Sequence, residues 1–121
     1  RTKGGGISEY SKLVWIDRDG TLTHVQSGDY RWIHEGIWKS PDTGAAYPVS
    51  PLITTRDPAD GRERRLRLVP LMEQQEMTGG SGGVSYWEGA CDVIDEGSGE
   101  AVGRAYLEMT GYADDIGQKL R

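Results

Sequence analysis

Tyr86-Trp87-Glu88-Gly89-Ala90-Cys91-Asp92-Val93-Ile94 is answered, after the turn-rich stretch Asp95-Glu96-Gly97-Ser98-Gly99-Glu100, by Gly103-Arg104-Ala105-Tyr106-Leu107-Glu108-Met109-Thr110-Gly111-Tyr112. Both runs alternate at period two, so the stretch predicts a long β-hairpin. Pairing symmetrical about Ser98 sets Trp87, Gly89, Cys91 and Val93 against Met109, Leu107, Ala105 and Gly103, an apolar face that belongs in a core. The other face carries Tyr86, Glu88, Ala90, Asp92 and Ile94 against Thr110, Glu108, Tyr106, Arg104 and Val102. Glu88 then stands directly across from Glu108, and opposed side chains lie about 5 Å apart at Cβ, where two carboxylates repel. Sharing a proton relieves the repulsion and raises one pKa. A proton held beside the rings of Tyr86 and Tyr106 is what a general acid requires. Two blander readings compete: carboxylates that accept hydrogen bonds and hold a barrel wall, or a solvated face. Asp92 opposite Arg104 reads as a cross-strand ion pair, and its charge match supports the register.

Working outward, the rest of the chain also reads as strands and turns. Lys12 to Asp17 and Leu22 to Gln26 flank Asp19-Gly20, a hairpin signal. Tyr30 to His34 alternates, with Tyr30, Trp32 and His34 on one face, and Ile37 to Ser40 runs into Pro41. Pro41-Asp42-Thr43-Gly44 and Asp57-Pro58-Ala59-Asp60-Gly61 are turn chemistry. Ala46 to Thr55 holds Pro48 and Pro51, which predicts an edge strand or extended coil. Arg64 to Val69 predicts a strand with Leu66 and Leu68 inward; its basic run reads as a solvated face that guards a sheet edge. Met72 to Met77 is ambiguous between strand and coil. Arg1 to Gly6 and Gly79 to Gly83 read as flexible segments, and Asp114 to Leu120 as a helical turn or a frayed end. The total is about eight strands in an all-β, antiparallel barrel or sandwich.

Composition sets the outer limits. A length of 121 residues suits one domain, and 18 glycines favour turns and strands over helices. The formal net charge of −5 argues against a nucleic-acid partner. There is no Phe, so the aromatic load falls on four Trp and six Tyr. Cys91, the single cysteine, lies on the apolar face and reads as a buried, inert thiol. The chain opens at Arg1 rather than Met, which leads us to expect an upstream segment.

His24 and His34 are not spaced as metal ligands, so no metal and no cofactor is expected; His34 remains a candidate acid or base because its pKa lies near neutrality. Trp38, Tyr47 and Trp32, with Tyr30, either line an apolar pocket or pack as ordinary core. Glu76, with Gln74 and Gln75, reads most simply as a donor-satisfying, turn-stabilising group. Neither a phosphate loop nor a Ser-His-Asp arrangement is present.

Four ordered stretches, Trp38-Lys39-Ser40-Pro41-Asp42-Thr43-Gly44-Ala45-Ala46-Tyr47-Pro48, Gln75-Glu76, Tyr86-Trp87-Glu88-Gly89-Ala90 and Gly103 to Tyr112, together resemble the C-terminal part of the AttH/CrtC-type lipocalin-like family. That family includes carotenoid 1,2-hydratases (hydroxyneurosporene synthases), proteins named secreted hydrolases, and fungal pericyclases. The resemblance spans roughly Leu13 to Tyr112 and implies a lipocalin-like barrel or part of one, from a two-domain protein. It implies a hydratase-like domain that binds an apolar polyene or isoprenoid and adds water after protonating it. Glu88 and Glu108 would then be the acid pair, Tyr86 and Tyr106 the cation-facing rings, and Trp38, Tyr47, Trp32 and His34 the ligand-binding wall. A non-catalytic carrier at the cell envelope and a pericyclase-like domain are the alternatives. The resemblance also implies a periplasmic or secreted location, a position peripheral to the membrane being compatible with it, and missing strands supplied by another chain or a homodimer mate. The first strands of the family's second domain have no counterpart here, so acid residues could lie outside this sequence.

Overall fold

The computed structural model describes residues 11–79 and 84–112. The expected flexible opening, the centre of the glycine loop and the C-terminal turn lie outside the described residues. Within them are ten strands: β1 (Leu13–Ile16), β2 (Leu22–Val25), β3 (Tyr30–Ile33), β4 (Ile37–Lys39), β5 (Ala46–Pro48), β6 (Leu52–Arg56), β7 (Glu63–Pro70), β8 (Glu76–Met77), β9 (Tyr86–Asp95) and β10 (Ala101–Thr110). Two more strands form than expected. The Ala46–Thr55 stretch breaks at Val49-Ser50-Pro51 into β5 and β6, and the ambiguous Met72–Met77 stretch yields β8.

The β9–β10 hairpin adopts the symmetrical register from Val93↔Gly103 through Glu88↔Glu108 to Tyr86↔Thr110. It departs at one place. Ile94 pairs with Ala101 rather than Val102, because a bulge between Ala101 and Gly103 inserts one extra residue.

Three turns share one construction. Ser40, Asp57 and Asp95 each accept, at the backbone carbonyl, the N–H of a glycine four residues on (Gly44 3.0 Å, Gly61 2.8 Å, Gly99 2.7 Å). Each donates its own N–H to the carbonyl of the following residue (Ala45 2.8 Å, Arg62 2.8 Å, Glu100 2.9 Å). The side chain of the first residue accepts backbone N–H groups inside the turn, as Asp95 Oδ1 does from Gly97 at 2.8 Å and Ser98 at 3.1 Å. The glycines sit at φ +76°, +71° and +76°, the left-handed conformation that closes such loops without a Cβ clash.

The main antiparallel sheet runs β10-β9-β7-β6-β3, with β8 also pairing β9. β1–β2 and β4–β5 are separate two-stranded ribbons. Two expectations about edges are corrected here. β6 is central rather than an edge, since Pro51 precedes the strand and only offers its carbonyl to Leu68 N–H at 3.1 Å. β7 is likewise central, so its arginines guard no edge; Leu68 points inward as expected, buried to 5% exposure, while Arg65 is exposed.

One face of the sheet carries the core. Trp87, Cys91, Leu68, Leu107 and Met109 pack with Ala45, Tyr47 and Val49 from the β4–β5 ribbon, flanked by Trp32, Trp38, Ile53, Val93, Ala105 and Tyr112. The β1–β2 ribbon meets the sheet through Trp15, whose indole N–H donates to Thr55 Oγ1 at 3.3 Å. β10 and β3 end the strand path, so the sheet is a partial barrel.

Candidate functional site

The inner face is organised around one carboxylate. β8 pairs Glu76 with Trp87, which turns the Glu76 side chain toward the core face. There it accepts hydroxyl hydrogen bonds from Ser40, from Thr43 at 2.8 Å and from Tyr47 at 2.7 Å. Ser40 Oγ already accepts the N–H groups of Asp42 and Thr43, both at 3.1 Å, so its single proton is free to go to Glu76. Burial alone would raise the Glu76 pKa, but the hydroxyls of Ser40, Tyr47 and Thr43 outweigh it and hold the carboxyl below its ordinary value. Glu76 is therefore an ionised acceptor near neutral pH, not a proton donor.

Neighbouring groups lock the same corner. Trp87 is fully buried, and its indole N–H donates to the Glu73 carbonyl at 2.8 Å. Gln75 folds back so that its amide donates to the Met72 carbonyl at 2.7 Å, and it lies directly over Gly89, where any Cβ would collide with it. The four stretches that carry the family resemblance, scattered over more than sixty residues, thus converge on this corner: Ser40, Thr43 and Tyr47; Gln75 and Glu76; Trp87 and Gly89; Leu107 and Met109. The turn-stabilising role read for Glu76 holds, although the turn it serves is the distant one at 40–45. Ser40 and Thr43 are partners of Glu76 that the sequence does not single out. The signal available was a hydroxyl at the first position of a glycine-closed turn, where Asp57 and Asp95 stand in the sister turns.

The predicted ligand wall lies on this inner face. Tyr47 is fully buried, stacked on Trp38 at 6.2 Å between ring centroids and tilted against Tyr112 at 5.5 Å. Trp32 and His34, both half-buried, form a second aromatic pair at 6.4 Å. The packing alternative was open for these residues, and Tyr47 is core.

The predicted acid pair lies on the other face. Glu88 and Glu108 are directly opposed, Glu88 half-buried and Glu108 exposed, with Tyr106 61% exposed beside them. Desolvation, then the charge and hydrogen-bond acceptance of Glu88, then Glu108, raise the Tyr106 pKa, so its phenol keeps its proton. Asp92 and Arg104 form the expected ion pair at 3.5 Å. Cys91 is fully buried, and burial followed by the charge of Asp92 pushes its thiol pKa up, away from reactivity. The structure therefore does not bring the acid pair and the aromatic wall into one site: the thickness of the sheet separates them, because side chains alternate strictly between faces along β9.

The AttH-like family model matches residues 1–112. The chain belongs to the AttH-like family. A solved structure of an AttH candidate from Nitrosomonas europaea superposes with a TM-score of 0.68 at 30% identity, covering 84% of this chain. The match takes up 29% of that protein's length. No curated protein matches. The antiparallel sheet of this AttH-like chain is accordingly a lipocalin-like partial barrel.

Proposed function

We propose that this AttH-like domain binds an apolar, elongated ligand, of the polyene or isoprenoid class, against the inner aromatic face. The carrying observation is that Trp32, His34 and Trp38 remain only half-buried on the core face, next to fully buried Tyr47, while the nearest carboxylate there is fully engaged. An aromatic wall with no available proton donor among its described carboxylates suits binding better than protonation. On this reading the domain acts as the binding half of a longer envelope protein, periplasmic or secreted, whose remaining strands come from elsewhere in its chain or from a second copy. Titration with all-trans-retinol tests it: saturable quenching of tryptophan emission is expected, weakened at least tenfold in Trp38→Ala or Trp32→Ala with the circular dichroism unchanged. Quenching that does not saturate, or that survives both substitutions, overturns the reading.

The hydratase reading rests on the outer face, where the opposed Glu88 and Glu108 sit beside Tyr106. One protonated carboxyl would deliver H⁺ to an alkene, Tyr86 and Tyr106 would face the cation, and water would add to it, losing a proton to the carboxylate left behind and so restoring the acid. Glu108→Gln would abolish hydration of an acyclic isoprenoid while sparing its binding. Turnover unchanged in that variant removes the acid role.

A further inference from the structure

The outer face of β3, β6 and β7 holds a feature that neither the aromatic wall nor the Glu88–Glu108 pair uses. Arg31, Thr54 and Arg65 form one row across three strands, Arg31↔Thr54 and Thr54↔Arg65. All three line a cavity of about 450 Å³. Two strand spacings put the arginine backbones about 10 Å apart, close enough for both guanidinium groups to converge above Thr54.

Neither arginine makes an ion pair among the described residues, and the Thr54 hydroxyl makes no hydrogen bond there. The other arginines nearby are committed. Arg64 bonds Asp57 at 3.2 Å and Asp60 at 2.6 Å, and Arg67 bonds Glu35 at 3.0 Å and Glu96 at 2.9 Å. The Glu96 backbone N–H donates to the Arg65 carbonyl at 2.9 Å, but its carboxylate, held by Arg67, meets the Arg65 guanidinium only through its field. Two guanidinium groups flanking one hydroxyl present converging donors that an anion between them would satisfy. The next row, Ile33↔Leu52↔Arg67, adds an apolar floor: Leu52 is buried to 4% exposure although it faces outward. Asp29, Arg56 and Glu63 line the same cavity, Arg56 standing opposite Glu63 and donating to the Gly61 carbonyl at 2.9 Å.

We propose that this cavity is an oxyanion site for an amphiphile, with the carboxylate or phosphate head held by Arg31, Thr54 and Arg65 and the start of an apolar chain lying on Ile33 and Leu52. Guanidinium forks suit planar or tetrahedral oxyanions, and a hydroxyl between them adds a third donor. A polyanion such as nucleic acid is disfavoured, because Asp29 and Glu63 also line the cavity and the whole chain is acidic, at net −5.

Calorimetric titration with sodium decanoate, decyl phosphate, inorganic phosphate and decanol, each below its aggregation threshold, tests the proposal. Decanoate, decyl phosphate or both should bind saturably, and binding should fall at least tenfold in Arg31→Gln/Arg65→Gln and weaken with added salt. Arg31→Lys should retain part of the affinity. Both arginines are exposed, so circular dichroism should be unaltered in these variants. No saturable binding of either anion, or equal binding in the double variant, overturns the site. Decanol binding as tightly as decanoate removes the oxyanion, and inorganic phosphate binding as tightly as decyl phosphate removes the apolar chain. The retinol titration concerns the opposite face, so either proposal can fail alone.

Discussion

Glu76 is the residue on which most of the family pattern converges. Hydrogen bonds to a charged group contribute about 1.5–3 kcal/mol each in favourable settings, and less where solvent reaches them. Glu76→Gln keeps the shape but replaces one acceptor oxygen with a donor that faces hydroxyl groups; it is expected to cost about 1–3 kcal/mol in a urea melt at neutral pH. The pH dependence has a definite sign. The folded-state pKa lies below the ordinary 4.5, so the stabilisation is present above that value and is lost as pH falls through the lower folded pKa. Melts repeated below pH 4.5 should show the wild type converging on the variant. Gly89 is a second test at this scale. Gly89→Ala must displace the Gln75 amide from the Met72 carbonyl, an expected cost of about 1–3 kcal/mol. In a Gln75→Ala background the same change should cost much less, which a double-mutant cycle measures.

Among the elements, the long hairpin and the three glycine-closed turns were the most legible in the sequence. Strict alternation over β9 and β10 fixes which residues share a face, and an Asp or Ser with a glycine four positions on marks the loop. The Val102 bulge was not legible, because period-two alternation carries no information about one extra residue on an exposed edge. The edge positions given to β6 and β7 failed for a related reason. Proline bars a residue from donating, yet Pro51 sits just outside its strand, and arginines on an outward face look alike on central and edge strands. The node at Glu76 was legible only as a short polar motif, since its partners lie some thirty residues away and only the fold brings them together. The turns offer a contrast between glycines. Gly99→Ala forces a Cβ into the left-handed region and should cost about 1–2 kcal/mol. Gly103→Ala, on a strand with open space around it, should be neutral or stabilise by about 0.5 kcal/mol in thermal melts.

For the whole molecule, the open ends of the sheet matter most. β10 is ten residues long, pairs only with β9 among the described residues, and exposes Val102 and Tyr106. Such an edge is a template for a further strand. The chain as a separate polypeptide is expected to associate reversibly with rising concentration in sedimentation experiments, and Tyr106→Lys should shift it toward monomer. Association unaltered by that substitution would place the contact elsewhere. The same fold also carries its own optical gauge. Of the four tryptophans, Trp87 alone is wholly enclosed, with its indole proton given to the Glu73 carbonyl across the segment that leads into β8. If that segment lifts before the sheet melts, the indole emission will shift to the red and its proton will exchange with deuterium while the strand amides stay protected. One side chain can thus time the opening of the inner corner separately from the unfolding of the rest.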